Sequence, residues 1–199
     1  MKVLVIGSGG REHMIVKKLK ESSRVTDIYV APGNGGIATE ATCVPIQDDA
    51  IEELVQFALE NDIKWTIVGP EIPLSKGIVN AFRSNNLNIF GPSQEAAIIE
   101  GSKDFAKAFM KQYNIPTAKY QTFTNVNEAI HYIKREGAPI VVKADGLAAG
   151  KGVVVAMTEA EAIEAVENML LHNQFGESGS RVVIEEFLDG KEFSLFAFV

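Results

Sequence analysis

Strand and helix signals alternate through the first hundred residues, and this alternation constrains the fold more than any other feature. Strands are predicted at Lys2–Gly7, Asp27–Ala31, Trp65–Gly69 and Leu87–Phe90. Helices are predicted at Arg11–Lys20, Asp48–Glu60 and Ser75–Arg83. Strands that are separated by helices are joined by right-handed crossovers, which place parallel strands in one sheet. The sequence therefore predicts an α/β domain with a doubly wound parallel sheet over residues 1–101.

The pattern changes after Gly101. Ser102 can cap a helix that carries Phe105, Ala108, Phe109 and Tyr113 on one side. From Ala118 the order becomes strand, helix, strand, glycine loop, strand, helix, strand, strand. The last two strands are predicted at Arg181–Leu188 and Glu192–Val199, joined by a hairpin turn at Asp189-Gly190. Residues 102–199 are therefore predicted to form a small antiparallel α+β unit.

The glycine loop carries the strongest functional signal. Lys143 ends one β-branched run, Gly146, Gly150, Lys151 and Gly152 follow, and Val153 opens a second run. Glycines let the backbone approach a ligand, and lysines supply point charges for phosphate oxygens. The spacing does not fit a Walker loop, which needs Lys-Ser/Thr at the start of a helix. The pattern predicts a hairpin that grips a nucleoside triphosphate, with an ordinary glycine-tipped hairpin as the alternative.

Three further loops follow the predicted strands of the first domain. They are Gly7–His13, Ala31–Gly36 and Gly69–Glu71. Ligands of open α/β sheets bind at the carboxyl ends of the strands, so the three loops together predict a binding crevice. Glu12 stands where a dinucleotide fingerprint has Gly or Ala, so a nicotinamide cofactor is not expected. A phosphate-bearing substrate fits these loops better, although each loop alone is more often a plain turn.

Composition limits the partners and the compartment. The net charge is −7 for 199 residues, which argues against nucleic acid or an anionic membrane as the main partner. Cys43 is the sole cysteine, so a disulfide framework is excluded and the cytoplasm is expected. No spacing of His, Cys and Asp is typical of metal ligands. The chain stops at Val199 inside an apolar run, so we expect it to be a piece of a longer polypeptide.

Two consecutive carboxylates, Glu185 and Glu186, occupy the first of the two final strands. Neighbouring side chains in a strand point to opposite faces, so one of them can face a cleft while the other faces water. Backbone groups beside Phe187 and Leu188 could bind an adenine edge, and Glu192 could bind ribose hydroxyls. A charged edge that discourages strand pairing is the alternative.

Taken together, these motifs resemble the glycinamide ribonucleotide synthetases, which are the phosphoribosylamine–glycine ligases of purine biosynthesis and belong to the ATP-grasp enzymes. The resemblance covers the whole chain. It is carried by the two loops Gly7–His13 and Ala31–Gly36 and, in order after them, by Val68–Glu71, Phe90–Pro92, Glu100–Lys103, Lys143–Val153 and Glu185–Leu188. It implies an N-terminal Rossmann-like substrate domain followed by the nucleotide-binding lid of an ATP-grasp domain whose central sheet is largely missing.

The resemblance also implies roles for individual residues. Those around the nucleotide phosphates would be Lys103, Lys143, Gly146, Ala149, Gly150, Lys151, Gly152 and Val153. The adenine pocket would be lined by Glu185, Glu186, Phe187 and Leu188, and the ribose would be bound by Glu192. The phosphoribosylamine side would be formed by Gly9, Gly10, Arg11, Glu12, Asn34, Gly35, Pro70 and Glu71.

The implied reaction joins glycine to 5-phosphoribosylamine at the expense of ATP, through a glycyl phosphate. Mg²⁺ or Mn²⁺ would assist, with its ligands beyond Val199, and no catalytic residue is assigned within the chain. Such a piece is not expected to turn over by itself. Two alternatives stay open: another ATP-grasp carboxylate–amine ligase, including a relative of biotin carboxylase, and a non-catalytic nucleotide-binding module.

Overall fold

The computed structural model describes residues 1–147, 152–172, 174 and 176–195. The chain divides into two compact units, Met1–Gly101 and Ser102–Val199. Each unit has its own sheet and its own buried apolar side chains.

The first unit is built on a parallel sheet, as predicted, which has five strands rather than the four that were predicted. Its strands are β1 (Lys2–Gly7), β2 (Asp27–Pro32), β3 (Thr42–Cys43), β4 (Trp65–Val68) and β5 (Ile89–Phe90). The order is β3-β2-β1-β4-β5, so β1 lies in the middle with β2 and β4 on either side. Chain progression reverses between β1 and β4, and this reversal opens the crevice in which doubly wound sheets bind ligands.

Helices cover both faces of this sheet. They are α1 (Gly10–Lys20), α2 (Ile51–Glu60), α3 (Glu71–Ser75), α4 (Ile78–Ser84) and α5 (Gln94–Gly101). Leu4 and Ile6 of β1 pack in one apolar cluster with residues of α2 and α4, whereas Val5 packs with Val16 of α1 on the other face. Burial on both faces explains why β1 is an uninterrupted apolar run rather than an alternating one.

The elements predicted from the sequence for this unit were wrong for one helix, and they left out one strand and one further helix. The single helix predicted at Ser75–Arg83 is two helices, because Gly77 between them adopts a left-handed conformation with φ of +88°. A helix cannot continue through such a residue. The two-residue strand β3 and the helix α5 were not predicted; β3 is too short to show alternation.

The second unit contains an antiparallel sheet, again as predicted, and this sheet has four of the five predicted strands. Its strands are β6 (Tyr120–Phe123), β7 (Ile140–Ala144), β8 (Val153–Ala156) and β9 (Val182–Glu186), in the order β6-β9-β7-β8. Its helices are α6 (Lys103–Gln112), α7 (Val126–Glu136) and α8 (Glu159–Leu170). Alternate strand residues such as Val142 and Ile184 form the buried core with α7 and α8, which leaves Lys143 and Glu185 on the opposite face.

The hairpin predicted after β9 is wrong for the residues that can be described. Residues Glu192–Leu195 are in no strand, and Phe193 is 87% exposed. The sheet order gives the reason: β9 is already paired with β6 on one side and with β7 on the other. A following strand therefore has no free edge of β9 to join.

Helix α6 leaves part of its aromatic side exposed and buries a lysine. Its N-cap, Ser102, accepts a hydrogen bond from the Phe105 backbone N–H at 3.1 Å, as predicted. The aromatic stripe is only partly covered, with Phe105 and Tyr113 exposed, while Lys107 on the same helix is 6% exposed.

In the part of the chain that is described, no helix is long and apolar enough to cross a membrane.

Candidate functional sites

The three predicted loops of the first unit meet at the carboxyl end of the sheet. The Gly33 N–H donates to the Gly7 carbonyl at 3.1 Å, which joins the loop after β2 to the loop after β1. The Asn34 amide nitrogen donates to the Ser8 carbonyl at 2.7 Å, and its oxygen accepts from the backbone of Gly36 at 2.8 Å. The Asn34 side chain is thus a connector between two loops that holds their backbone in place.

Glu12 lies beneath these loops rather than on their surface. It is 4% exposed, and its Oε2 accepts from the Gly9 N–H at 2.6 Å, which caps the first turn of α1. Its other oxygen, Oε1, is buried without a hydrogen-bond partner among the described residues. A Cβ atom on Gly69 would lie 2.1 Å from this oxygen, and one on Gly7 would lie 2.7 Å from the Glu12 Cγ. The glycine that ends β1 and the glycine that follows β4 therefore make room for one buried carboxylate.

Arg11 in the first turn of α1 and Glu71, the first residue of α3, form an ion pair that connects the two helix starts. Both terminal nitrogens of Arg11 lie within hydrogen-bond distance of Glu71 Oε1, at 3.1 and 3.2 Å. The pKa of Glu71 is lowered, first by its own backbone N–H at the start of α3 and then by Arg11. The pKa of Arg11 is raised, chiefly by the hydrogen bond to Glu71. Both side chains are substantially exposed, so this pair can exchange partners with an incoming anion.

The remaining predicted substrate residues border the same edge. Pro70 lies directly before α3, and the glycines Gly9, Gly10 and Gly35 are exposed. A Cβ atom on Gly10 or Gly35 would meet no atom within 4 Å, so open space lies above these two positions. An exposed helix start beside bare backbone is suited to an anionic ligand such as a phosphate.

In the described residues, the two strands on either side of the glycine loop form the antiparallel pair that the predicted hairpin requires. Strands β7 and β8 pair antiparallel, with Lys143 opposite Val153, and the Ala144 N–H donates to the Gly152 carbonyl at 2.8 Å. Val153 is 44% exposed, on the sheet face that also carries Lys143. The predicted positions Ala149, Gly150 and Lys151 lie outside the described residues.

Lys143 forms an ion pair that the sequence did not predict. Glu185 Oε2 lies 3.0 Å from the Lys143 ammonium and 3.0 Å from the Lys107 ammonium. Glu185 lies opposite Val141 on β7, which makes Lys143 its diagonal neighbour on one sheet face. The structure thus brings two predicted nucleotide residues together and adds Lys107 as a third charged member.

A second polar network fixes the start of the glycine loop. Asp145 accepts from the Asp104 backbone N–H at 2.8 Å and from the Ser102 hydroxyl at 3.1 Å. Lys103 donates to the Gly146 carbonyl at 3.1 Å, and Arg181 pairs with Asp104 at 2.9 Å. These contacts attach the loop to the N-terminus of α6. Lys103 and Lys143, the two predicted phosphate ligands, therefore flank the first residues of the loop.

The structure does not bring the other predicted nucleotide residues of this region together with Lys143 and Glu185. Glu186 points away from Glu185, and its Oε1 accepts from the Lys119 N–H at 2.9 Å. Leu188 is 66% exposed, and Phe187, Leu188 and Glu192 lie beyond the last described strand. Within the described ranges, no group of three His, Cys, Asp or Glu side chains could hold a metal ion.

Comparison with known families shows first which class of domain the second unit is and then which family the whole chain belongs to. The profile described as "Phosphoribosylglycinamide synthetase, ATP-grasp (A) domain" matches residues 101–199, which makes the second unit an ATP-grasp domain. The profile described as "Phosphoribosylglycinamide synthetase, N domain" matches residues 1–100. The chain belongs to the phosphoribosylglycinamide synthetase family.

Individual relatives agree with this assignment. The phosphoribosylamine–glycine ligase of Halalkalibacterium halodurans is 58% identical over 199 residues, which are 100% of this chain and 46% of that protein. The ligase of Neisseria meningitidis serogroup B is 56% identical, again over 100% of this chain and over 47% of that protein. The chain thus spans about half the length of the curated relatives that it matches.

Solved structures extend the comparison to the fold. The phosphoribosylamine–glycine ligase of Thermotoga maritima superposes with a TM-score of 0.76 at 32% identity, covering 96% of this chain and 45% of that one. The biotin carboxylase domain of the Hydrogenobacter thermophilus 2-oxoglutarate carboxylase gives a TM-score of 0.74 at 20% identity, covering 94% of this chain and 44% of that one. The second likeness concerns the fold alone.

Proposed function

We propose that this chain supplies the amine-substrate and nucleotide sites of a phosphoribosylamine–glycine ligase. The whole enzyme would join glycine to 5-phosphoribosylamine, with ATP converted to ADP and phosphate, as a step of purine biosynthesis in the cytoplasm. The observation that carries the proposal is the match of both domain profiles, in order, along the full chain. Identities of 55–58% to ligases of this name support it.

The proposed reaction has two bond-forming steps. A glycine carboxylate oxygen attacks the γ-phosphorus of ATP, so that ADP leaves and glycyl phosphate forms. The amine of phosphoribosylamine then attacks the acyl carbon; the C–N bond forms, phosphate leaves and the amine nitrogen loses a proton. Both steps depend on the positioning of charged groups and on protection of the acyl phosphate from water.

The nucleotide would lie at the start of the glycine loop. Lys103 and Lys143 would neutralise phosphate charge from two directions, and Gly146, Gly152 and Val153 would border the phosphates. The contacts of Asp145 with α6 support this role because they hold the loop near Lys103. The assignments of Ala149, Gly150 and Lys151, and those of Glu186, Phe187, Leu188 and Glu192, rest on the family resemblance.

The phosphoribosylamine would lie at the carboxyl edge of the parallel sheet. Exposed backbone at Gly9, Gly10 and Gly35 would receive its phosphate, and Arg11 would provide the cation. Glu71 and Pro70 would border the sugar, while Asn34 and Glu12 would hold the loops in shape from beneath. Mg²⁺ or Mn²⁺ would accompany ATP and supply further charge neutralisation, with its protein ligands outside the described residues.

The test is a product assay on the full-length gene product that contains this chain. ADP release should require both glycine and phosphoribosylamine, and glycinamide ribonucleotide should form in equal amount. Alanine and bicarbonate, each in place of glycine, are the matched controls. ADP release that follows bicarbonate or another acid instead of glycine would assign a different ATP-grasp ligase. Nucleotide binding without any acid-dependent turnover would favour a binding module.

A further inference from the structure

Lys107 is a buried cation that the proposed reaction does not use. The residue is 6% exposed, and its ammonium contacts Glu185 Oε2 at 3.0 Å, the Thr117 hydroxyl at 2.7 Å and the Ala118 carbonyl at 3.4 Å. It also lies 5.6 Å from the centre of the Tyr120 ring. A lysine ammonium is rarely buried without a dedicated partner, because its desolvation is costly.

The partner of Lys107 is shared. The same oxygen, Glu185 Oε2, lies 3.0 Å from the Lys143 ammonium. One carboxylate therefore forms ion pairs with two ammonium groups. The three side chains together carry one surplus positive charge. The Lys107 side chain is only 8% exposed and that of Lys143 is 27% exposed, so an anion from solvent can approach this surplus from the side of Lys143.

We propose that Lys107 is a positioning residue that preserves the positive charge of Lys143 for a polyphosphate. This inference rests on the proposed function, because it takes the anion at Lys143 to be the phosphate tail of the nucleotide. By occupying the carboxylate of Glu185 from the buried side, Lys107 prevents Glu185 from neutralising Lys143 completely. It also fixes Glu185 against α6, and so fixes the direction in which the Lys143 ammonium points.

A purely structural role for Lys107 makes a different prediction. Its bonds to Thr117 and Ala118 attach α6 to the segment before β6, and losing them could lower stability alone. In that case the fraction of active enzyme and the melting temperature would fall, but nucleotide affinity per active molecule would not change. The experiment must therefore measure the affinity for phosphate-bearing ligands separately from stability.

The first variant is Lys107→Met in the full-length enzyme, which keeps an unbranched side chain one atom shorter than lysine and removes its charge. Displacement of a fluorescent ADP analogue should show ADP affinity weakened by about tenfold, the effect of one lost charge near a phosphate site. The affinity for adenosine, which has no phosphate, should change by less than about threefold. The KM for ATP should rise with the Kd of ADP, while kcat at saturating ATP changes less than about threefold. Lys111→Met removes an exposed lysine of the same helix and is the matched control.

The second variant, Lys107→Met combined with Glu185→Gln, restores the surplus charge. The proposal expects the ratio of its ADP affinity to its adenosine affinity to return to within about threefold of that ratio in the unmodified enzyme, since an effect of Glu185→Gln on the adenine pocket changes both affinities alike. Lys107→Gln, which keeps a donor toward Thr117, carries the test if Lys107→Met does not fold. Unchanged ADP affinity in the single variants, or equal weakening in the single and double variants, would overturn the role of Lys107 while glycine-dependent turnover still stands. Absence of that turnover in the unmodified enzyme would instead count against the proposed function.

Discussion

The two candidate sites of this chain are built in opposite ways. The site on the parallel sheet consists of glycine backbone arranged around one buried carboxylate, Glu12, with an exposed ion pair at its border. The site on the antiparallel sheet consists of charged side chains of the second unit, where the Glu185 carboxylate is shared by the ammonium groups of Lys107 and Lys143. One site depends on space, and the other depends on charge balance.

This difference predicts which substitutions damage each site. Adding a single methyl group should disturb the first site, because its loops leave no room beside Glu12. Removing a single charge should disturb the second, because a buried ion without its partner is costly. The following predictions test this contrast, beginning with the change that should have the largest effect.

Glu185→Ala should destabilise the second unit by about 3 kcal/mol, since it leaves two ammonium groups without their shared carboxylate. Hydrogen exchange of the backbone amides in β9, followed by mass spectrometry, measures this change locally. Glu186→Ala is the matched control on the opposite sheet face, where loss of the bond to the Lys119 N–H should cost no more than about 1 kcal/mol. If the β9 amides exchange equally fast in the two variants, the claim that this site depends on the buried ion pairs of Glu185 is contradicted.

Gly69→Ala should destabilise the first unit by about 2 kcal/mol, because the new methyl group overlaps a carboxylate held by Gly9. Trp65, the sole tryptophan, lies on β4 of this unit, so its fluorescence during denaturation reports the effect. Gly35→Ala, where open space receives the methyl group, should change stability by less than about 0.5 kcal/mol. The cost of Gly69→Ala should shrink in a Glu12→Ala background; an undiminished cost would show that Glu12 is not the obstacle.

The smallest effect concerns Glu71. Its pKa in the folded chain lies below the ordinary 4.5, so the stability linked to this carboxylate is present above that value and is lost as the pH falls through the folded pKa. Carboxyl-carbon NMR should show a titration midpoint below 4.5. In Arg11→Met the midpoint should rise but stay depressed, because the backbone N–H of α3 is the larger cause. A return to the ordinary value in that variant would assign the whole shift to Arg11.

Local patterns in the sequence predicted much of this architecture. Strand β1 was predicted with the bounds it has, since an apolar run before glycines is an unambiguous signal. Thr158 and Glu161 have the spacing of a capping box, which is another local signal, and the Glu161 N–H donates to the Thr158 hydroxyl at 3.2 Å at the start of α8. The opposite orientations of Glu185 and Glu186 followed from the two-residue period of a strand.

Features that depend on distant residues escaped prediction. The sequence of α6 showed its aromatic side but not that Lys107 is buried, because Glu185, the charge partner of Lys107, comes from a strand far along the chain. The hairpin after β9 failed for a related reason, since only the sheet order shows that both edges of β9 are taken. Asp145 belonged to the predicted glycine loop, yet its bonds to α6 could not be foreseen from spacing.

The central position of β9 also affects how the second unit is made. Strands β6 and β7 leave the ribosome long before β9, yet each needs β9 as its neighbour. Until Val182–Glu186 emerge, both strands have an edge of unpaired backbone, a state that favours pairing with other nascent chains. The translation of the α8 region is thus a vulnerable interval, during which chaperone protection would matter most for this polypeptide.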